Sequence, residues 1–397
     1  MDTEQVSEFL TELDEPIILN LIGDDPPEKI AKLFQKLGVN DQADILALFS
    51  DEKTQSVLDL LNAEKQEEVE EIMSYPVDSA ASIMTTDVFT LHQNIIAYEA
   101  IKEIQRQEKS EMVFYLYITD DDNRLTGVVS LRDLVTTPPE TSLVNIMTEN
   151  VVSVRPETDQ EEVAKIVARY NYLAVPVVDM DDSMLGIVTV DDVVDVIREE
   201  ATEDFLQMAG AGKDREILLK SSWENVKSRL PWLFASWVGG VLAAFIIGKF
   251  EHMLETTVAL AAFIPVIIGM GGNVGTQSST IVVRGMATGR VEAGGELKLV
   301  FKELRVGLIL GILYGILLGG FTLLPFVESP ASLGIIVGLS ICSSMLIASC
   351  VGTVVPLVLQ KIDVDPAIAT GPFVTTSIDI LGVTLYFLIA SVVSGIA

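Results

Sequence analysis

The chain has 397 residues, 57 Asp and Glu against 26 Lys and Arg, and a formal net charge of −31. So acidic a surface opposes binding to nucleic acid or anionic lipid by Coulomb repulsion, and only two cysteines exclude a disulfide-built scaffold. From Lys220 onward ten basic residues balance ten acidic ones, so the whole excess lies in residues 1–219 and divalent cations are its natural counterions.

Residues 1–77 read as an acidic domain of short amphipathic helices, broken at Gly23–Pro27, Gly38–Asp41 and Ser50–Asp51. Leu10, Leu13, Ile17, Ile18, then Ile30, Leu33, Phe34, Leu37, then Ile45, Leu46, Leu48, Phe49 recur at helical spacing. The opening MDTEQVSEFL lacks the basic and apolar blocks of a secretory leader.

Residues 78–200 hold an internal repeat, in copies 78–140 and 141–200. Ile83-Met84-Thr85 returns as Ile146-Met147-Thr148 after 63 residues, and Gly127 to Val135 returns as Gly186 to Val194 after 59. Each copy carries a helical stretch (95–105; 161–170), a short apolar strand (113–118; 174–178), a polar turn, and a Gly-led strand entering a helix. That is an α/β unit used twice. Ser130 with Asp133, and Thr189 with Asp192, stand at the strand-to-helix turns, where such pairs serve either as helix N-terminal caps or as a phosphate and ribose site.

Residues 201–229 form a connecting helix. Asp192, Asp195 and Glu199, and likewise Glu200, Glu203 and Asp204, fall at spacings that make them repel, with only Arg198 among them. Cations would relieve that repulsion.

Residues 230–397 contain five runs that approach or exceed the roughly 20 residues needed to span a bilayer: 231–248, 256–283, 306–327, 329–360, and a last one after Pro366. Basic residues before the first run and between the second and third place those segments in the cytosol, with the C-terminus outside. Cys342 and Cys350 lie eight residues apart in the fourth run, about 12 Å along a helix, too far for an intrahelical disulfide. The second run holds Gly271-Gly272-Asn273-Val274-Gly275-Thr276-Gln277. Its glycines suit close helix approach, and its two amides need partners that hydrocarbon does not supply. Asp379 is the one charged residue in the last run, where an Asp costs roughly 2.5–3.5 kcal/mol at the bilayer centre. No Lys, Arg or His in the neighbouring apolar runs neutralises it, which favours a cation as partner.

The repeat resembles a tandem CBS domain pair, and that resemblance implies an adenine nucleotide such as ATP at Ser130, Asp133, Thr189 and Asp192. The whole layout resembles the MgtE family of magnesium channels, through Ser74-Tyr75-Pro76 with Asp78, Arg229-Leu230-Pro231-Trp232-Leu233, Pro265 through Gln277, and Asp365-Pro366-Ala367 leading to Gly371-Pro372 and Asp379. The resemblance implies a homodimer in the plasma membrane, with Asp379 in the ion path at the dimer axis and Gly271, Gly272, Asn273, Gly275, Gln277 and Pro372 lining it. It also implies a cytosolic gate in which Mg²⁺ bound by Asp192, Asp195, Glu200, Glu203, Asp204 and Asp365 holds the channel shut. Mg²⁺ sheds water reluctantly, so two Asp379 carboxylates would hold it through its hydration shell. A coupled carrier exchanging a divalent cation (Mg²⁺, Mn²⁺, Co²⁺ or Ni²⁺) for Na⁺ or H⁺, and a membrane-anchored nucleotide sensor, are the alternatives. His92 and His252 stand apart from any nucleophile or metal cluster, so no enzyme activity is expected.

Overall fold

The computed structural model describes residues 9–10, 13, 15–106, 114–213, 217–291, 294–324, 331–362 and 364–395. The ends of the third and fourth apolar runs near Val327 and Ser329, the start of the strand expected at Val113, and most of the opening decapeptide lie outside them. The chain divides into two compact units, Met1–Glu200 and Ala201–Ala397.

In the first unit lie α1 (Glu15–Ile22), α2 (Pro27–Phe34), α3 (Val39–Ala47), α4 (Asp51–Leu58) and α5 (Ala63–Ser74); the first predicted break separates α1 from α2, Val39–Asp41 of the second already open α3, Asp51 of the third opens α4, and an unpredicted break at 59–62 precedes α5. Ile30, Phe34, Leu46, Val57 and Val69 are fully buried, and the amide of Gln42, equally buried, donates to the carbonyls of Phe34 and Leu37 at 2.9 Å. Lys53 Nζ donates to the carbonyls of Gly23 and Asp25 in the turn that follows α1. Asn62 caps α5 by accepting from Lys65 N.

The repeat forms α6 (Ala80–Ile83), β1 (Thr90–His92), α7 (Ala97–Arg106), β2 (Tyr115–Thr119), β3 (Leu125–Ser130) and α8 (Leu131–Thr136), then α9 (Gln160–Tyr170), β4 (Ala174–Val178), β5 (Met184–Thr189) and α10 (Val190–Met208). Strand β1 pairs parallel to β2, β2 antiparallel to β3, and β4 antiparallel to β5. The hairpins turn through Asn123 and Asp182, both at positive φ, which these two residue types tolerate better than most. Asp120 and Asp179 brace the same turns, each accepting from the N–H groups two and four residues on.

The copies are interlocked. Thr85 of the first exchanges both backbone hydrogen bonds with Ile187 of the second, and Thr148 of the second does the same with Val128 of the first. A Cβ on Gly186 would lie 2.7 Å from Thr85 O and 2.9 Å from Met84 Sδ, and one on Gly127 would lie 2.7 Å from Met147 Sδ. The glycine at the third position of β3 and of β5 therefore makes room for the Met-Thr segment of the other copy. One apolar core joins Phe34, Leu46 and Val57 to Ala80, Met84, Val163, Val175 and Val188, so the helical bundle and the second copy share an interior.

The second unit contains α11 (Ser222–Lys249), α12 (Glu251–Thr256), α13 (Ala259–Ala287), α14 (Glu296–Phe321), α15 (Ala331–Lys361), α16 (Ala367–Thr370) and α17 (Pro372–Ser394). Five of these, α11, α13, α14, α15 and α17, are long and apolar enough to cross a membrane, with mean hydropathy of 1.6–2.2 over their most apolar stretches. Gly311, Gly315 and Gly319 of α14 bring their backbone against Cys342, Gly338 and Gly334 of α15, where an added Cβ would come within 2.7–2.8 Å of a carbonyl oxygen. Dispersion contacts and close backbone approach hold such helices together where lipid supplies no hydrophobic drive. Tyr386 donates to Leu260 O at 2.8 Å, and Phe387 stacks on Phe250 at 4.7 Å.

Three expectations change. Residues 201–229 are not one helix: α10 ends at Met208, Gly210 and Gly212 take positive φ of 70° and 96°, and a capping box of Ser221 with Glu224 starts α11, which runs without interruption into the first span. The third span begins at Glu296 rather than near Val306, so Lys298, Lys302, Glu303 and Arg305 are helical instead of loop residues. The last span is interrupted, because Gly371 takes ψ −136° before Pro372, leaving α16 as a separate turn.

Candidate ion path and acidic cluster

Asp379 lies in the second turn of α17 and is half-buried. Its Oδ1 stands 4.0 Å from where a Cβ on Gly272 would be, so the missing side chain of Gly272 opens space beside the carboxylate. Among the described residues Asp379 has no hydrogen-bond or ion-pair partner, and the same holds for Asn273 and Gln277. These two amides, four apart on α13, are exposed in the protomer, next to Gly272. The two amides share one exposed face of this membrane helix, and Gly272, on the adjoining face, stands beside the unpaired carboxylate.

Gly271 and Gly275 belong to a different face. Added Cβ atoms there would meet Ser344 Oγ at 2.6 Å from Gly271 and the side chain of Ile378 from both, so these two glycines are packed between helices and do not line open space. Helical periodicity accounts for the difference, since residues 271 and 275 share one face, 273 and 277 share another, and 272 falls between them. Pro372 sits at the head of α17, with its Cδ 3.2 Å from a Cβ position on Gly210, and Gly371 packs on the carbonyls of Gln207 and Met208. The end of α10 thus abuts the start of the helix that carries Asp379.

The carboxylates expected at a gate are distributed along α10 and at Asp365. Asp192 accepts from the hydroxyl and the N–H of Thr189, and its carboxyl is raised above the usual range, first by burial and further by Asp191 and Asp195, against those hydrogen bonds. Asp195 is exposed. Glu200 Oε1 accepts from Gln160 Nε2 at 2.7 Å, and the same amide reaches Asp78 Oδ1 at 3.3 Å. Asp204 is half-buried. Glu203 and Asp365 are drawn together, since Gln207 Nε2 donates to Glu203 Oε1 at 3.0 Å and to Asp365 Oδ2 at 2.7 Å. Lys213 Nζ completes that group at 2.8 Å from Glu203 Oε1 and 3.7 Å from Asp365 Oδ2. Among the described residues no three His, Cys, Asp or Glu side chains converge as a metal site. Two hard oxygen donors within reach of one cation nevertheless fit Mg²⁺, which keeps most of its waters when bound.

Ser130 caps α8, accepting from Asp133 N at 3.1 Å and donating to Asp133 Oδ2 at 2.6 Å; Thr189 and Asp192 form the matching pair. The four residues expected at a nucleotide thus sit in two related caps. Sequence reasoning missed Gln207 and Lys213, whose nearness to Asp365 spans some 150 residues of chain. It also missed Glu303, a carboxylate only 5% exposed that accepts from Ser278 at 3.0 Å and ties α14 to α13.

Residues 264–389 match a family described as divalent cation transporter, MgtE; residues 1–78 match the MgtE intracellular N domain, and residues 80–140 and 143–199 match CBS domains. The magnesium transporter MgtE of Bacillus subtilis is 34% identical over 395 residues, covering 98% of this chain and 86% of the relative. This chain belongs to the MgtE family. The MgtE of Thermus thermophilus is 36% identical over 340 residues, covering 85% of this chain and 74% of its own. A crystal structure of the soluble part of a magnesium transporter is similar to 51% of the chain and 80% of its own, at 32% identity and a TM-score of 0.48. One of the cytosolic domain of the Mg²⁺ channel MgtE in complex with ATP matches 49% and 80%, at 35% identity and a TM-score of 0.46. As an MgtE protein, the chain is a membrane transporter that handles Mg²⁺, with five apolar helices behind a soluble cytosolic N-terminal region.

Proposed function

We propose that this MgtE protein is a Mg²⁺ channel for passive uptake, and that its cytosolic acidic residues close it when internal Mg²⁺ is high. The observation that carries the reading is Asp379, a carboxylate on a membrane helix with no partner among the described residues, beside Gly272 of the helix that also carries the exposed amides of Asn273 and Gln277. A fixed negative charge in a low-dielectric path attracts a cation, and amide oxygens orient the waters that a hydrated ion keeps. Two copies related by a two-fold axis would set two Asp379 carboxylates around one divalent ion, with the C-terminus outside.

The gating half of the reading rests on α10 and Asp365. Glu203 and Asp365 would hold a regulatory Mg²⁺, which supplies positive charge between groups that otherwise repel. Glu203 then fixes the end of α10, and Gly371-Pro372 against that end fixes the start of α17. Asp192, Asp195, Glu200 and Asp204 extend the same acidic face. An adenine nucleotide at Ser130, Asp133, Thr189 and Asp192 belongs to this proposal as a second effector; each pair would exchange its capping hydrogen bonds for the ligand's.

Mg²⁺ uptake into liposomes, with internal Mg²⁺ varied, tests the reading. Passive uptake that falls as internal Mg²⁺ rises is expected for the wild type, and Asp379→Asn should lower it at least about tenfold, the factor carried by only ~1.4 kcal/mol of lost interaction. Uptake that needs a Na⁺ or H⁺ gradient would replace the channel by a carrier. Unchanged uptake by Asp379→Asn would remove Asp379 from the path.

A further inference from the structure

Resting on the regulatory reading of Glu203 and Asp365, we propose that Lys213 is a tethered cation that competes with Mg²⁺ for these two carboxylates and so sets the concentration at which the gate responds.

Three separate segments build the site. Glu203 and Gln207 lie one turn apart on α10, Asp365 precedes α16 and accepts from Ala367 N at 2.8 Å, and Lys213 comes from the turn after α10. That turn is fixed from the other side, because Ser228 on α11 donates to Ala211 O at 2.6 Å and Gly212 at positive φ packs on the same serine. Glu203 and Asp365 are 15% and 30% exposed, whereas Lys213 is 63% exposed. The carboxylates are thus held in place while the ammonium arrives on a flexible, solvated stem.

The group is built to receive charge. Gln207 is 1% exposed and spends its amide N–H groups on both carboxylates, leaving Oε1 buried without a partner. A buried amide with one end unsatisfied is a cost that a folded protein accepts where the amide serves another purpose. Here it holds two like charges at a common point. Lys213 Nζ reaches the same point, closer to Glu203 at 2.8 Å than to Asp365 at 3.7 Å.

A Lys paired near the surface is a weak ligand, contributing about 0–1 kcal/mol, yet its tether presents it at an effective concentration in the millimolar range. A divalent ion with twice the charge displaces it only once its own concentration suffices. Lys213 also keeps the pair neutralised in part when the ion is absent, so loss of Mg²⁺ exchanges one cation for another at this point and does not expose two bare carboxylates. The result is a threshold, with the ion-free form held ready.

The test is a Mg²⁺ titration of the full-length protein in nanodiscs, read by tryptophan fluorescence and by protection from limited proteolysis. Lys213→Met keeps the stem and removes the charge; its midpoint should fall about threefold below wild type. Lys213→Arg should stay near wild type. In a Glu203→Gln/Asp365→Asn background the further change Lys213→Met should shift nothing. Lys220→Met removes one charge a few residues on, and a midpoint equally lowered there would reduce the effect to net charge and overturn the proposal. So would a Lys213→Met midpoint equal to or above wild type, which would make Lys213 a brace. Should Lys213→Met misfold, Lys213→Gln takes its place with the same expected shift. A wild type with no Mg²⁺ response would instead defeat the regulatory reading itself, and this inference with it; a responsive wild type with an indifferent Lys213→Met defeats the inference alone.

Discussion

Asp44 on α3 has Asp41, Glu15 and Glu199 around it, and its carboxyl is pushed from the usual 3.8 to about 7, first by desolvation and then by those three charges. The native state therefore binds this proton more tightly than the unfolded chain does. Stability from the bound proton is fully present below about pH 4 and is lost as pH rises through about 7. Asp44→Asn stays neutral throughout, so its melting temperature should exceed wild type by a few degrees at pH 8 and converge with it near pH 4. The side chain keeps solvent contact, so screening limits the gain and salt should reduce it. A melting-temperature difference independent of pH would exclude repulsion as its cause. The three carboxylates on which function is proposed to turn differ in their neighbours. Asp379 has neither a cation nor a hydrogen bond among the described residues, whereas Glu203 and Asp365 have an amide and an ammonium.

Elements rather than residues explain the glycines of the repeat. Gly127 and Gly186 hold equivalent sequence positions, but the obstacles differ in kind. A Cβ at Gly186 meets the carbonyl of Thr85, part of the backbone pairing that joins the copies, whereas at Gly127 the nearest atoms all belong to the Met147 side chain. Backbone cannot yield without breaking the bonds between Thr85 and Ile187, while a methionine re-packs. Gly186→Ala should thus cost about 1–3 kcal/mol in urea unfolding, as overpacking does, and Gly127→Ala distinctly less. Equal costs would mean that the two sites are equally adaptable. The repeat and the five apolar runs were legible because each is periodic or local, whereas the repeat strands begin two residues before the glycine that was expected to lead them. Interlocking of the copies was not, because it depends on which Met-Thr segment lies over which strand. The break at Gly210 and Gly212 was also hidden, since neither glycine announces left-handed φ without its neighbours, and Lys213 became visible only when the turn brought it to Asp365.

At the scale of the whole molecule, a single protomer leaves the strip of Asn273 and Gln277 exposed, with Asp379 half-buried beside Gly272 on the adjoining face. In hydrocarbon each unpaired amide or carboxylate costs several kcal/mol, so the strip needs water and a second wall. An identical strip related by a two-fold axis would supply both, since isologous contact brings each residue toward its own copy. It would also double the charge, so that two Asp379 carboxylates would match one divalent ion. Asn273→Cys, in a background with Cys342→Ala and Cys350→Ala, should then form a covalent dimer on mild oxidation in the membrane. Leu313→Cys in the same background is the control, 52% exposed on α14 and carried on an apolar helix face. A dimer band from Asn273→Cys alone, lost when excess Mg²⁺ occupies the path between the strips, would tie assembly and ion binding to one surface. Equal bands from both variants would reduce the contact to random collision, and none from Asn273→Cys would place the dimer axis elsewhere.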